Sequence, residues 1–146
     1  MKRYLFILGI FFLPITALAE EKTTEITTTI PSRYTLTIPA NQEIMRNAET
    51  TAFSELKVSG ELAPDQQVRI SAIVEEMKNK DNKQAPTLPF RLTNEKGEAW
   101  TSDTWSAQET ADQKAAKLNL KIEKEAWAKA KPGRYEGKIV FTSAIE

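Results

Sequence analysis

Two tryptophans and a scatter of carboxylates are the side chains of this sequence best suited to chemistry. Trp100 and Trp105 flank Thr101-Ser102-Asp103-Thr104. An indole beside hydroxyls and a carboxylate suits stacking on a sugar ring or on a partner's side chain. Five positions apart in an extended segment, the two rings should point to opposite faces, one into a core and one outward. Plain core packing is the alternative. Asp103, Glu109 and Asp112 are carboxylates of the kind that pair in glycosidases. Such pairs arise readily by chance in a chain that is 27% charged, so no catalytic residue is assigned. Glu75, Glu76, Asp81 and Asn82 fall in Glu75 to Pro86, and oxygen-rich loops can hold Ca²⁺. Lys78, Lys80 and Lys83 interleave there, and the D-x-[DN]-x-[DN]-G spacing is missing. A solvated loop is expected, with no metal and no cofactor.

The residues that are missing exclude more. The 146-residue chain has no Cys and no His. That removes disulfides, thiol nucleophiles, thiolate metal sites, imidazole bases and the Ser-His-Asp triad. A non-enzyme is the expectation. Twenty Lys plus Arg balance twenty Asp plus Glu. A nucleic-acid partner is not expected, because phosphate binding needs a surplus of cations.

Residues 1–19 read as an export signal. Lys2 and Arg3 precede the apolar run Tyr4 to Leu13, Pro14 stops it, and Ala17-Leu18-Ala19 is a small-x-small cleavage site. Residues 20–146 are then a single domain, secreted or at the cell surface, or periplasmic or fimbrial in a host with an outer membrane. No later apolar stretch approaches the roughly 20 residues of a membrane span.

The elements that must position these side chains are strands. Ile26, Thr28 and Ile30 alternate, and so do Tyr34, Leu36 and Ile38 after Pro31 bends the chain. Ile44 is a candidate core plug. Leu56, Val58 and Leu62 point inward from the next strand, and Val68, Ile70 and Ala72 from the one after, which runs through Ile73 and Val74. Ala63-Pro64-Asp65-Gln66 is turn chemistry, so these two strands are expected to form a hairpin. Leu88, Phe90 and Leu92 make another strand, and Asn94 to Gly97 a hairpin loop leading to Glu98–Trp105. Ser106 to Lys114 is polar. Leu118, Leu120 and Ile122 follow, then a short helix over Glu123–Ala130 ended by Pro132-Gly133. Tyr135 to Ile145 is the cleanest strand, with Tyr135, Gly137, Ile139, Phe141 and Ile145 on one face. The sum is an all-β, Ig-like antiparallel β-sandwich of seven or eight strands.

Two stretches resemble a known pattern. Tyr34-Thr35-Leu36-Thr37-Ile38-Pro39-Ala40 and the closing run Pro132-Gly133, Tyr135, Gly137, Phe141, preceded by Trp127, are similar to the two ends of small exported bacterial Ig-like β-sandwich domains. More distantly, the closing strand resembles that of fimbrial and adhesin subunits. The resemblance implies the sandwich fold and a surface, adhesive or fimbria-related role with a protein or glycan partner, and it carries over no catalytic residue. A soluble binder or inhibitor of an extracellular glycan or enzyme is the alternative.

In physical terms, Gly133 allows a positive-φ turn, Gly137 a close approach, and Tyr135 a ring in the core with its hydroxyl on the backbone. Trp127 should cap one end of the sandwich. Residues 20–30 are expected to be the chain's own first strand, giving a monomer. Their alternative role is donation to a neighbouring subunit by β-strand addition.

Overall fold

The computed structural model describes residues 24–146, so the export signal and its cleavage point lie outside the described residues. Seven strands and two short helices follow one another: β1 (Arg33–Thr37), β2 (Thr50–Glu61), β3 (Gln67–Asn79), β4 (Arg91–Thr93), β5 (Ser102–Ser106), α1 (Ala107–Ala111), β6 (Ala115–Lys121), α2 (Lys124–Lys129) and β7 (Tyr135–Ile145). The strands make two antiparallel sheets, one ordered β1-β2-β6-β4 and the other β5-β3-β7. No helix among the described residues is long and apolar enough to cross a membrane.

Alternation explains the layers. Leu56 and Val58 of β2, Leu92 of β4, and Leu118 and Leu120 of β6 face Val68 and Ile70 of β3 and Trp105 of β5, all at most 4% exposed. Burying an aliphatic side chain of this size stabilises the fold by about 1.5–3 kcal/mol. A smaller cluster of Met77, Leu88 and Ile122 extends the core towards α2. β2 carries a bulge between Ala52 and Glu55, where Ser54 takes a φ of 64°. Such a bulge bends a strand and resets which face its side chains reach.

Several expectations need correction. β2 and β3 do not pair. The turn at Ala63–Gln66 forms, with the Gln66 amide donating to the Ala63 carbonyl at 3.0 Å, but it carries the chain from one sheet to the other. Glu75–Asn79 is strand rather than loop: β3 continues through a bulge between Glu75 and Lys78, paired with β7 on either side of it, while Met77 bridges to Leu88. Its charges belong to the outward side of the strand, while Met77 and Asn79 are buried. Polar Ser106–Lys114 contains α1, whose N-terminus is a capping box between Ser106 and Glu109. Thr24–Ile30 forms no strand, and Ile26 and Ile30 are 91% and 83% exposed. The remainder of the proposed first strand, residues 20–23, lies outside the described residues.

The order β1-β2-β6-β4 matches the A-B-E-D sheet of immunoglobulin-type sandwiches. In the second sheet β3 and β7 stand where C and F stand, and β5 lies on the outer side of C. Among the described residues no strand occupies the position beyond β7.

Candidate functional site

The two open sides of the sandwich differ. On the β4–β5 side the chain laces the layers together. The Trp100 amide donates to Leu92 in the first sheet, and the Ala72 amide, in the second, donates to Thr101. Crossing between sheets at this point also overturns the expected split of the two tryptophans. Alternation is reset in the crossing, so both rings point inward, Trp105 at 0% and Trp100 at 9% exposure. Neither is a surface stacking platform. Trp105 Nε1 donates to the Lys114 carbonyl at 2.9 Å, whereas Trp100 Nε1 is buried without a partner among the described residues.

The β1–β7 side is bridged at one end only. There the hydroxyls of Tyr34 and Ser143 lie 2.9 Å apart, joining the edge strands of the two sheets. Beyond that pin a cleft of about 1180 Å³ opens between residues 38–46, which follow β1, and β7. Its floor is core: Phe53, Met77, Leu88, Phe90 and Leu120 line it, with Ile139 and Phe141 along the β7 wall. The innermost residues of the two sheets are closed from water, whereas Ile44, Phe90, Ile139 and Phe141 around the cleft are only half-buried. Apolar side chains that point into a sandwich and still meet solvent mark a place where a layer is incomplete. β7 also presents there the backbone groups that do not pair with β3.

The closing-strand residues shape this wall. A Cβ on Gly137 would stand 2.7 Å from Met77 Cγ and 2.8 Å from Phe90 Cε1, so its absence lets Phe90 lie against β7. Phe141 packs on Trp100 with ring centroids 6.4 Å apart. Tyr135 is half-buried, and its hydroxyl accepts the Lys131 amide at 3.0 Å. Trp127 covers the Met77–Leu88–Ile122 cluster and donates from Nε1 to the Ala48 carbonyl at 2.9 Å, closing that end of the sandwich. Gly133, at φ 133°, leaves room for buried Asn79, whose amide donates to the Pro132 carbonyl at 3.1 Å and whose oxygen accepts the Asp81 and Asn82 amides.

The acidic candidates are engaged locally. Asp81 accepts the Arg134 amide, Glu76 the Thr87 hydroxyl, and Asp112 the Gln108 side chain. Asp103 accepts the Thr104 amide. Glu109 caps Ser106 and bonds Lys114, and that lysine holds its carboxyl below the usual range while the carboxylate raises the lysine in turn. Among the described residues no three acidic side chains converge on a metal-sized space.

The cleft, by contrast, was absent from the sequence reading. Its one signal was the alternation of β7, which placed Ile139 and Phe141 on an inward face but could not reveal that the face lacks a cover.

No protein-family model matches this chain, and no curated protein matches it.

Proposed function

We propose that the protein is a non-catalytic, exported interaction module that engages its partner by β-strand addition in the cleft beside β7, as a structural or adhesive component of the cell surface. The half-exposed inward face of Ile139 and Phe141 beside an unpaired strand edge carries this reading. An added strand would satisfy the β7 backbone and cover the apolar floor together, the two sources of affinity in β-augmentation.

The occupant we assign is Thr24–Ile30 of a second copy. Its Ile26, Thr28 and Ile30 fall on one face, so the two isoleucines would turn into the cleft. Both side chains are almost wholly in water in the single chain. Seven extended residues span about 20 Å, the same length as Tyr135–Phe141 of β7. Placing Thr24–Ile30 in a neighbour rather than in the chain's own sheet replaces the monomer as the favoured state.

Light scattering after size exclusion tests this. The exported protein should associate with rising concentration, and Ile26→Asp with Ile30→Asp should leave a folded monomer. Association unchanged in that double variant, or a wild-type monomer whose β7 amides exchange freely, would remove the reading.

A further inference from the structure

Resting on the strand-addition reading, we infer that the incoming segment lies parallel to β7, with Glu25 at the open mouth of the cleft and Ile30 at the pinned end. Three independent features point the same way.

The first is charge at the mouth. Arg46, Lys131, Arg134 and Lys138 line it against Glu43 and Glu136. Glu136 is already engaged by Lys80 at 3.5 Å and Arg134 at 3.1 Å. The donor's only described charge before Pro31 is Glu25, and the sequence upstream adds Glu20 and Glu21 against Lys22. Parallel pairing sets Glu25 beside Glu136, whose charge Lys80 and Arg134 already answer, so the acidic leading end meets a mouth that is cationic in sum.

The second is charge at the other end, where the cationic surplus is absent. Around the Tyr34–Ser143 pin, Glu61 and Glu146 stand against Arg33 and Arg69. An antiparallel strand would bring Glu25 opposite Val140, towards an end with no surplus of cations to receive its carboxylate.

The third is connectivity. Ser32 is fixed to the far side of the pin, its hydroxyl accepting the Ala63 amide at 2.9 Å. The segment therefore leaves its own domain at the pinned end, and from there it can follow a β7 edge towards the mouth only with its N-terminus leading, which is parallel pairing. Reciprocal exchange between two copies reproduces the same contacts, as domain swapping does.

The chain has no cysteine, so engineered pairs report without background. With Ile26 and Ile30 inward, Thr29 faces outward, as do Glu136 and Val140 of β7. Parallel pairing brings Thr29 beside Val140, and antiparallel pairing brings it beside Glu136. In purified full-length protein, Thr29→Cys with Val140→Cys should form a disulfide between copies, and Thr29→Cys with Glu136→Cys should not. Preferential crosslinking to position 136 would overturn the polarity while leaving strand addition standing. No crosslink in either pair would overturn strand addition and the polarity with it. A 29–140 bond formed only within one chain would uphold the polarity and convert exchange into self-closure.

Charge exchange supplies a second readout. Glu25→Lys should lower crosslinking roughly two- to fivefold, the range of exposed ion pairs, and Arg134→Glu in the same chain should restore it. Loss without rescue would show that the mouth does not read the donor's charge.

Discussion

The Tyr34 hydroxyl meets the Ser143 hydroxyl at 2.9 Å, and this contact joins β1 of one sheet to β7 of the other on the side where the sandwich is otherwise open. It divides that side into a closed end and a cleft. The residues it connects are 109 positions apart, so it forms only when both sheets are assembled. Tyr34→Phe should lower unfolding stability by about 1 kcal/mol, the usual net value of a partly buried hydrogen bond, measured by urea denaturation. A loss near zero would show that packing, not the pin, holds the two edges.

The two core tryptophans should respond differently to losing the indole N–H. Trp105 Nε1 has the Lys114 carbonyl, and Trp100 Nε1 has no partner among the described residues. Removing a satisfied donor leaves a buried acceptor unpaired, while removing an orphan relieves a desolvation penalty. Chemical denaturation of Trp105→Phe should therefore show a loss of about 1–3 kcal/mol beyond that of Trp100→Phe. Equal losses would contradict this assignment. Because both rings are buried, titration with glycans should leave their fluorescence unchanged.

Gly137 is where the β7 wall admits Phe90. Gly137→Ala should destabilise the fold by about 1–3 kcal/mol, the range for overpacking, since Met77 and Phe90 must both give way. Thermal melting checks it, and a neutral result would mean that Phe90 swings into the cleft at little cost.

The capping box sets the response to acid. Lys114 bonding holds the Glu109 carboxyl below its ordinary value of 4.5 in the folded chain. Its contribution is therefore complete above that value and is lost as the pH falls through the lower folded one. Lys114 is raised above its ordinary 10.5, so its share is present below that pH and is lost as the pH rises through the higher folded value. With no His in the chain, stability should be flat between about pH 6 and 9. Ser106→Ala should lower it by about 1 kcal/mol across that plateau. A midpoint inside the plateau would point to a titrating group elsewhere.

The strands were legible because period two runs through these stretches unbroken: Leu56 and Val58, Val68 and Ile70, and Leu118 and Leu120 all face inward as their spacing required. What failed was pairing. Ala63-Pro64-Asp65-Gln66 has the same local chemistry whether the chain folds back in one sheet or arches into the other, so the turn could not distinguish a hairpin from an arch. Likewise, spacing predicts opposed faces for Trp100 and Trp105 only within one unbroken strand, and the crossing at Thr101 breaks it. The helix α1 was readable in Ser106-x-x-Glu109 but lacked an apolar stripe. The cleft was not readable at all, since it depends on which strand stands at the sheet's edge, a property of topology rather than of any window of sequence.

Hydrogen exchange along β7 tests the strand-acceptor account most directly. Amides that point away from β3 have no strand partner among the described residues of the single chain. In associated wild-type protein those of Tyr135–Phe141 should be protected, and Ile26→Asp with Ile30→Asp should return them to fast exchange while the β3-facing amides stay slow. Fast exchange of the outward amides in both proteins would contradict the account.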